Sequence, residues 1–200
     1  MMLELLALAS LLLTDPSGDA HGAGNLVPPT SAPYASVAPF DLLDVAVLDE
    51  RLLTVEITVA EIGDPFNLAN GLSLPVIDVY VDTGQGGRVA LLPGPGMTLP
   101  APDGWEIAFR VHGDDAFMVL YDEMGTRRAV EVEVQGNVVR LATTLERPER
   151  IRRLDAMSGV YDPFAPQGWR SVSLTPSPWG FSSDVTALPV IDVLAVDAVA

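Results

Sequence analysis

The sequence has 200 residues, of which 48% are hydrophobic and only 6% aromatic, and it contains 17 glycines and 17 prolines. This length fits one domain, and the composition excludes general disorder and favours short strands joined by many turns. A formal net charge of −16 disfavours binding to nucleic acid or to anionic lipid, and the absence of cysteine excludes disulfides and thiolate chemistry.

An apolar run, MMLELLALASLLL, occupies residues 1–13. It has the length of the hydrophobic region of a secretory signal peptide and is too short to cross a bilayer as a helix. The basic residue expected before such a run is missing, and Glu4 lies within it. We expect a signal peptide or its remnant over residues 1–13, one domain over residues 14–200 and no other membrane-inserted segment. The alternative is that residues 11–14 form the first strand.

The next segment, TDPSGDAHGAGN, is a glycine-rich loop that places Asp15 and Asp19 four residues apart. Pro16 and Gly18 allow a sharp turn that would bring the two carboxylates together. A hard cation such as Ca²⁺ prefers carboxylate, carbonyl and water oxygens, which this loop can supply. The pattern therefore indicates a candidate calcium site. The alternative is that both aspartates only cap turns.

Alternating apolar and polar residues predict a series of short strands after this loop. The segment 52–60 shows the pattern well, because Val55, Ile57 and Val59 fall on one face. The predicted strands are residues 42–48, 52–60, 72–83, 104–111, 116–121, 128–134, 136–143, 150–161 and 188–196. Short strands with regularly spaced turns are typical of an antiparallel β-sandwich.

Two other local patterns interrupt this series. TTLERPERI, residues 143–151, is a candidate helix that Pro148 would limit to about one turn. The tetrapeptide PVID occurs at 75–78 and at 189–192, and we interpret it as a coincidence of two strand starts because the flanking residues do not match.

The sequence gives little support to catalysis or haem binding. Its histidines are His21 and His112, no serine lies in a G-x-S-x-G motif, and no pair of acids is marked out for glycoside hydrolysis. Met118, a conceivable haem ligand, lies in an apolar strand and is expected to pack in the core. We expect no enzyme, and haem or small-molecule binding remains an alternative.

Several groups of residues between about 14 and 196 carry a family resemblance. They are DPSGDAHGAGN with VPPT, FDLLDVAV, NGLSLPVIDVYVDT, LLPGPGMTL with GWEIAFRV, GWRSV with PSPWGF, and PVIDVLA. In this order they resemble the C-terminal module of bacterial glucodextranases and amylopullulanases, a DOMON-like family related to family 9 carbohydrate-binding modules. The resemblance implies a non-catalytic, immunoglobulin-like β-sandwich that is secreted and holds enzymes to cell-surface or substrate polysaccharide.

The resemblance also implies a structural calcium ion. The aspartates of the family fall on Asp15, Asp19 and, in the FDL motif, Asp41. Two positions depart from the family: Ala20 replaces the second aspartate of a D-D pair, and Leu26 stands where an aromatic residue is common. We expect one Ca²⁺ that fixes the loop to the strand after residue 40.

Carbohydrate binding uses exposed aromatic faces that stack on sugar rings, with polar groups beside them for the hydroxyls. The candidates are Trp169 and Trp179 in the long loop region 161–187, with Tyr161 and Arg170 beside them. The alternative for each tryptophan is that it anchors the core or a loop.

The expected location is outside the cytoplasm, either secreted, periplasmic or in the cell envelope. The apolar N-terminus, the absence of cysteine and the calcium-type loop all favour it. The expected partner is a polysaccharide or another cell-envelope component. A structural or assembly component of the bacterial cell envelope is the main alternative to a carbohydrate-binding module.

Overall fold

The computed structural model describes residues 9–22, 26–84, 86–100, 104–123 and 126–197. Within these ranges the chain forms eleven β-strands and three short 3-10 helices, and none of these residues lies in an α-helix. The strands are β1 Ala9–Thr14, β2 Leu42–Leu48, β3 Leu52–Val59, β4 Pro75–Asp82, β5 Ile107–His112, β6 Asp115–Leu120, β7 Arg128–Ala129, β8 Glu131–Gln135, β9 Val138–Glu146, β10 Arg153–Val160 and β11 Val190–Asp197. The 3-10 helices are Ala32–Tyr34, Ala38–Phe40 and Tyr121–Glu123. No helix in these ranges is long and apolar enough to cross a membrane.

The strands form two antiparallel sheets packed face to face. One sheet has the order β1-β2-β3-β9-β8, and the other has the order β11-β10-β4-β5-β6-β7. The antiparallel β-sandwich predicted from the sequence is therefore confirmed. The edge strands β1 and β11 lie on the same side of the sandwich, since they contact each other.

The main core lies between the two sheets. On β3, Val55, Ile57 and Val59 are fully buried, as the alternating pattern predicts. They pack in one cluster with residues of the opposite sheet, among them Ile77 and Val79 of β4. Burial of each such side chain stabilises the fold by about 1.5–3 kcal/mol. Alternation in the sequence thus sets which face of each strand joins the core.

The six-stranded sheet is covered on its outer face as well. Every residue of β4 is buried, whereas an antiparallel sheet often leaves one face to water. The cover comes from the loop between β4 and β5, which carries Trp105, and from the loop after β10, which carries Trp169. Both tryptophans pack with Tyr80 in a second apolar cluster. Loops without regular structure therefore act as a third layer.

A buried ion pair lies under this layer. The guanidinium of Arg110 on β5 donates to both carboxylate oxygens of Asp78 on β4, with both distances 2.6 Å, and both side chains are at most 3% exposed. The hydroxyl of Tyr80 also donates to Asp78, at 2.9 Å. The carboxylate is thus fully paired, which a buried charge requires.

The same pair fixes the covering loops to the sheet. Arg110 donates from Nη1 to the carbonyl of Pro93 in the first loop, at 2.9 Å, and to the carbonyl of Gln167 in the second, at 3.0 Å. The hydroxyl of Tyr80 accepts a hydrogen bond from the backbone nitrogen of Leu92, at 3.1 Å. One guanidinium therefore connects a strand with two separate loops.

The structure differs from the expected strands in three places. The candidate helix 143–151 is wrong, because β9 continues to Glu146 and pairs with β3 there. The predicted strand 128–134 is two strands, since β7 pairs with β6 while β8 pairs with β9 in the other sheet. Residues 11–14 lie in β1, which pairs with β2, and residues 1–8 of the expected signal segment lie outside the described residues.

Removal of Arg110 should destabilise the protein strongly. Arg110→Met leaves Asp78 buried without its cation and is expected to lower the free energy of unfolding by about 3–5 kcal/mol. The double variant Asp78→Leu/Arg110→Met should recover much of this loss, because no unpaired charge remains. Urea denaturation measures both effects.

The matched control is the exposed pair of Arg51 and Glu146, whose side chains are 81% and 82% exposed. Arg51→Met should change the free energy of unfolding by less than about 1 kcal/mol. If Arg110→Met is as mild as this control, the buried pair does not hold the loops to the sheet.

A carboxylate cluster and an exposed aromatic surface

Three aspartates meet where the edges of the two sheets come together. Asp15 follows β1, Asp19 lies in the glycine-rich loop, and Asp192 lies on β11. One carboxylate oxygen from each lies within 4.8 Å of the other two. The loop therefore brings Asp15 and Asp19 together as the sequence predicts, and β11 adds the third carboxylate, Asp192.

The predicted ligand Asp41 lies beside this cluster and holds the loop. Its Oδ2 accepts hydrogen bonds from the backbone nitrogen of Gly18, at 2.8 Å, and from the hydroxyl of Ser17, at 3.4 Å. Asp41 is 2% exposed, and its Oδ1 has no hydrogen-bond partner among the described residues. Oδ2 of Asp15 is likewise buried without a hydrogen-bond partner among the described residues. Two buried carboxylate oxygens are therefore left without a donor from the described protein.

Asp192 was not identified from the sequence as a candidate metal ligand. It is 6% exposed and connects the sheets, because its carboxylate accepts from the backbone nitrogens of Leu42 on β2, at 2.7 Å, and of Val193, at 2.8 Å. A carboxylate inside the apolar run LPVIDVLAV is the signal that could have identified it.

Burial, together with the neighbouring carboxylates, raises the pKa of Asp15 and of Asp192. Burial, and then the charges of Asp192, Asp19 and Asp41, raise the pKa of Asp15 from 3.8 to about 6. Burial chiefly raises the pKa of Asp192 too, with Asp19 and Asp41 adding to it and hydrogen bonds from backbone N–H groups opposing it. Carboxylates held this close favour either a bound proton or a bound cation.

The donor set fits a hard divalent cation. Carboxylate oxygens are the ligands that Ca²⁺ prefers, and the unpartnered oxygens of Asp15 and Asp41 have capacity for one. Ala20, the first of the two departures noted in the sequence, is fully buried in an apolar cluster with Tyr34 and Phe181. The side chain at position 20 therefore contributes to the apolar packing of the loop and not to the carboxylate cluster.

A cavity of about 550 Å³ opens beside the cluster. Asp19 and Asp192 contribute to its lining, and Leu26, Leu188 and Val193 supply aliphatic walls. Leu26, the second departure from the family, also packs partly against the apolar cluster that contains Ala20. The cavity falls within the size range of small-ligand sites, which is about 300–1,000 Å³.

Two of the residues predicted to bind sugar are buried. Trp169 and Tyr161 are each 4% exposed. Trp169 packs in the layer that covers the six-stranded sheet, 5.9 Å from the guanidinium of Arg110. Tyr161 stacks on His112 at 4.3 Å and donates its hydroxyl to Asp114, at 2.6 Å. Both rings anchor loops, and neither offers a free face.

Trp179 is exposed and belongs to a group of aromatic residues. It is 50% exposed and contacts Tyr34 edge to face, with ring centroids 6.2 Å apart. Tyr34 also contacts Phe66 at 5.9 Å, and Phe66 is 47% exposed. Tyr34 and Phe66 were not predicted from the sequence, although each lies in a proline-containing loop segment, SAPYAS and GDPFN.

Arg170 lies next to this group. Its stem packs against Gly180, the residue after Trp179, so that a Cβ at Gly180 would lie 2.8 Å from Cδ of Arg170. Its guanidinium pairs with Asp162 at 3.5 Å. The structure thus places the stem of Arg170 against the residue that follows Trp179.

Comparison with known families gives a match over almost the whole chain. A family model described as the C-terminal binding-module, SLH-like, of glucodextranase matches residues 11–200. No curated protein sequence matches the chain. The matched range includes the carboxylate cluster and the exposed aromatic residues.

In the presence of a chelator, Asp15→Asn should raise the melting temperature at neutral pH. Ionisation of Asp15 costs the folded state free energy as the pH rises from its ordinary pKa of 3.8 to the folded value of about 6. Asparagine does not ionise, so the gain should be largest above about pH 7 and should vanish below about pH 4.

Thermal denaturation across this pH range in EDTA measures the effect. Glu131→Gln removes an exposed carboxylate on β8 and serves as the control, with little change expected at any pH. An equal gain for Asp15→Asn at both ends of the range would contradict the raised pKa of Asp15 in the folded protein.

Proposed function

Since this chain belongs to the family of C-terminal, SLH-like binding modules of glucodextranase, we propose that it is a non-catalytic module that binds polysaccharide outside the cytoplasm. The family description concerns a binding module and not a catalytic domain, which supports the absence of an enzymatic role. The polymer is either a substrate glucan or a polysaccharide of the cell surface.

The observation that carries this proposal within the family is the exposure of Trp179. Large aromatic residues are usually buried, and they stack well on apolar faces when exposed. Trp179 is half exposed in a chain with only 6% aromatic residues, and the residue after it packs against the stem of Arg170, whose guanidinium pairs with Asp162. This combination suits a sugar ring, which has an apolar face and a polar rim.

A second candidate function is docking within the bacterial cell envelope. The family description supports it to the extent that it names a binding module without naming the ligand. In that case the protein is an assembly component and its partner is an envelope polymer or protein. A haem-binding role has less support, since Met118 is 2% exposed in the main core and His112 is stacked on Tyr161.

We also propose that Asp15, Asp19 and Asp192 hold one structural Ca²⁺, with Asp41 positioning the loop and adding an oxygen. The ion would neutralise charges that repel each other and would fix the loop to β11 and, through Leu42, to β2. Extracellular modules bind Ca²⁺ with dissociation constants of about 10⁻⁴–10⁻³ M, so such a site is useful outside the cytoplasm. This agrees with the proposed location.

Polysaccharide binding is tested by co-sedimentation of the purified protein with insoluble glucans and with bacterial cell-wall preparations. We expect retention on at least one polysaccharide, and release by soluble oligosaccharide of the same linkage. Retention only on wall preparations, abolished when the wall proteins are digested, would favour the assembly role and contradict the carbohydrate role.

Calcium should raise the melting temperature relative to a chelator. A hundredfold excess over the dissociation constant stabilises a folded protein by about 2.7 kcal/mol. Asp19→Asn should abolish most of this increase, because Asp19 is exposed and its loss removes a ligand without disturbing packing.

The control Glu131→Gln should keep the full increase, since it lies on β8 at the far edge of its sheet from β1. Equal melting temperatures with calcium and with chelator in the parent protein would remove the calcium proposal.

A further inference from the structure

Trp179, Tyr34 and Phe66 form a continuous group that we call the aromatic platform. Trp179 and Phe66 are about half exposed, and Tyr34 lies between them at 5% exposure. Two exposed rings joined by a buried third ring make a larger surface than a single side chain. This arrangement is unusual on a protein with so few aromatic residues.

The platform is held rigidly from below. Tyr34 ends a 3-10 helix and packs in a buried cluster with Phe40 and Phe181. The segment before it pairs with the segment that carries Trp179, because the nitrogens of Thr30 and Ser31 donate to the carbonyls of residues 177 and 178, at 3.1 and 3.2 Å. Binding to a surface already ordered costs little conformational entropy.

Phe66 is positioned by its own loop. The backbone nitrogen of Phe66 donates to the hydroxyl of Ser73, at 3.1 Å, and that hydroxyl donates to the carboxylate of Asp64. Asp64 also accepts from the nitrogen of Leu68, at 3.0 Å, which closes the loop. Phe66 is therefore presented by a hydrogen-bonded turn, although it comes from a part of the chain remote from Trp179.

Charge at the platform favours a neutral ligand. Arg170 and Asp162 form an ion pair beside it, and both charges act on the phenol of Tyr34, whose pKa is raised mainly by burial. These two charges cancel, while the whole chain carries −16. An anionic polymer would be repelled by this field, whereas hydroxyl groups can use the paired Arg170 and Asp162.

The angles between the rings favour a bent chain over a flat one. The planes of Trp179 and Tyr34 differ by 86°, and those of Tyr34 and Phe66 differ by 44°. The planes of Trp179 and Phe66 therefore cannot be parallel. A flat crystalline polysaccharide would contact only one of the exposed rings, whereas a flexible chain can turn between two.

We propose that the aromatic platform is the polysaccharide-binding site and that it takes at least two sugar rings of one neutral, flexible glycan chain, one on Trp179 and one on Phe66. This inference rests on the proposed carbohydrate-binding function, and it assigns the site and the class of ligand. Affinity should consequently increase with chain length until both exposed rings are covered.

Affinity electrophoresis with dextran, together with calorimetric titration of glucose, isomaltose and isomaltotetraose, tests the proposal. In the parent protein the tetrasaccharide should bind at least about tenfold more tightly than glucose. Trp179→Ala and Phe66→Ala should each weaken dextran binding at least about tenfold, and Phe66→Ala should reduce the gain with chain length. Heparin and microcrystalline cellulose should bind poorly to all variants.

Tyr121→Ala is the matched control, because Tyr121 is also a partly exposed aromatic residue, at 38%. It lies near Thr83, which follows the end of β4, whereas the platform lies near the start of that strand. The control should keep the parent affinity, and all variants should keep the parent melting temperature within a few degrees. Dextran binding that survives both Trp179→Ala and Phe66→Ala would overturn the platform and leave the proposed function intact. Failure of the parent protein to bind any glycan would overturn both.

Discussion

The buried ion pair of Asp78 and Arg110 is the interaction on which the covered face of the sandwich depends. An antiparallel sheet with charged groups on its outer face would normally leave them in water. Here the loops over β4 and β5 exclude that water, and Arg110 donates hydrogen bonds to a carbonyl of each loop. A loop that lifted away would expose Trp169 and its apolar neighbours together with this pair. The loops and the sheet are thus one cooperative unit.

Each of the two PVID segments buries an aspartate, and the two carboxylates are stabilised in different ways. The segments begin β4 and β11, which pair with β10 from opposite sides. In each copy the aspartate is buried, but Asp78 has a guanidinium as its partner while Asp192 faces other carboxylates. A buried carboxylate needs compensation for lost hydration. For Asp78 a guanidinium of the chain supplies it, whereas Asp192 has two backbone N–H donors and, in our proposal, an ion from solution.

Local patterns in the sequence predicted most of the fold. The composition of the candidate site depends on contacts between residues far apart in the chain, which such patterns do not show. Alternation identified the inner face of β3 because burial there has a period of two. It could not show that the segment 128–134 changes sheets, since that depends on which strands are nearby. Asp15 and Asp19 share one turn and were found from their spacing. Asp192 joins them only through the pairing of distant strands, and the burial of Trp169 depends on a layer of loops that has no periodic signal.

The path of the chain from Asp15 to Tyr34 joins the carboxylate cluster to the aromatic platform. Within it, residues 27–31 pair with residues 177–182, since the nitrogens of Val27, Thr30 and Ser31 donate to the carbonyls of Ser182, Ser177 and Pro178. Any coupling between two sites is reciprocal, so a cation that increased glycan affinity would itself be bound more tightly by the same factor when glycan is present.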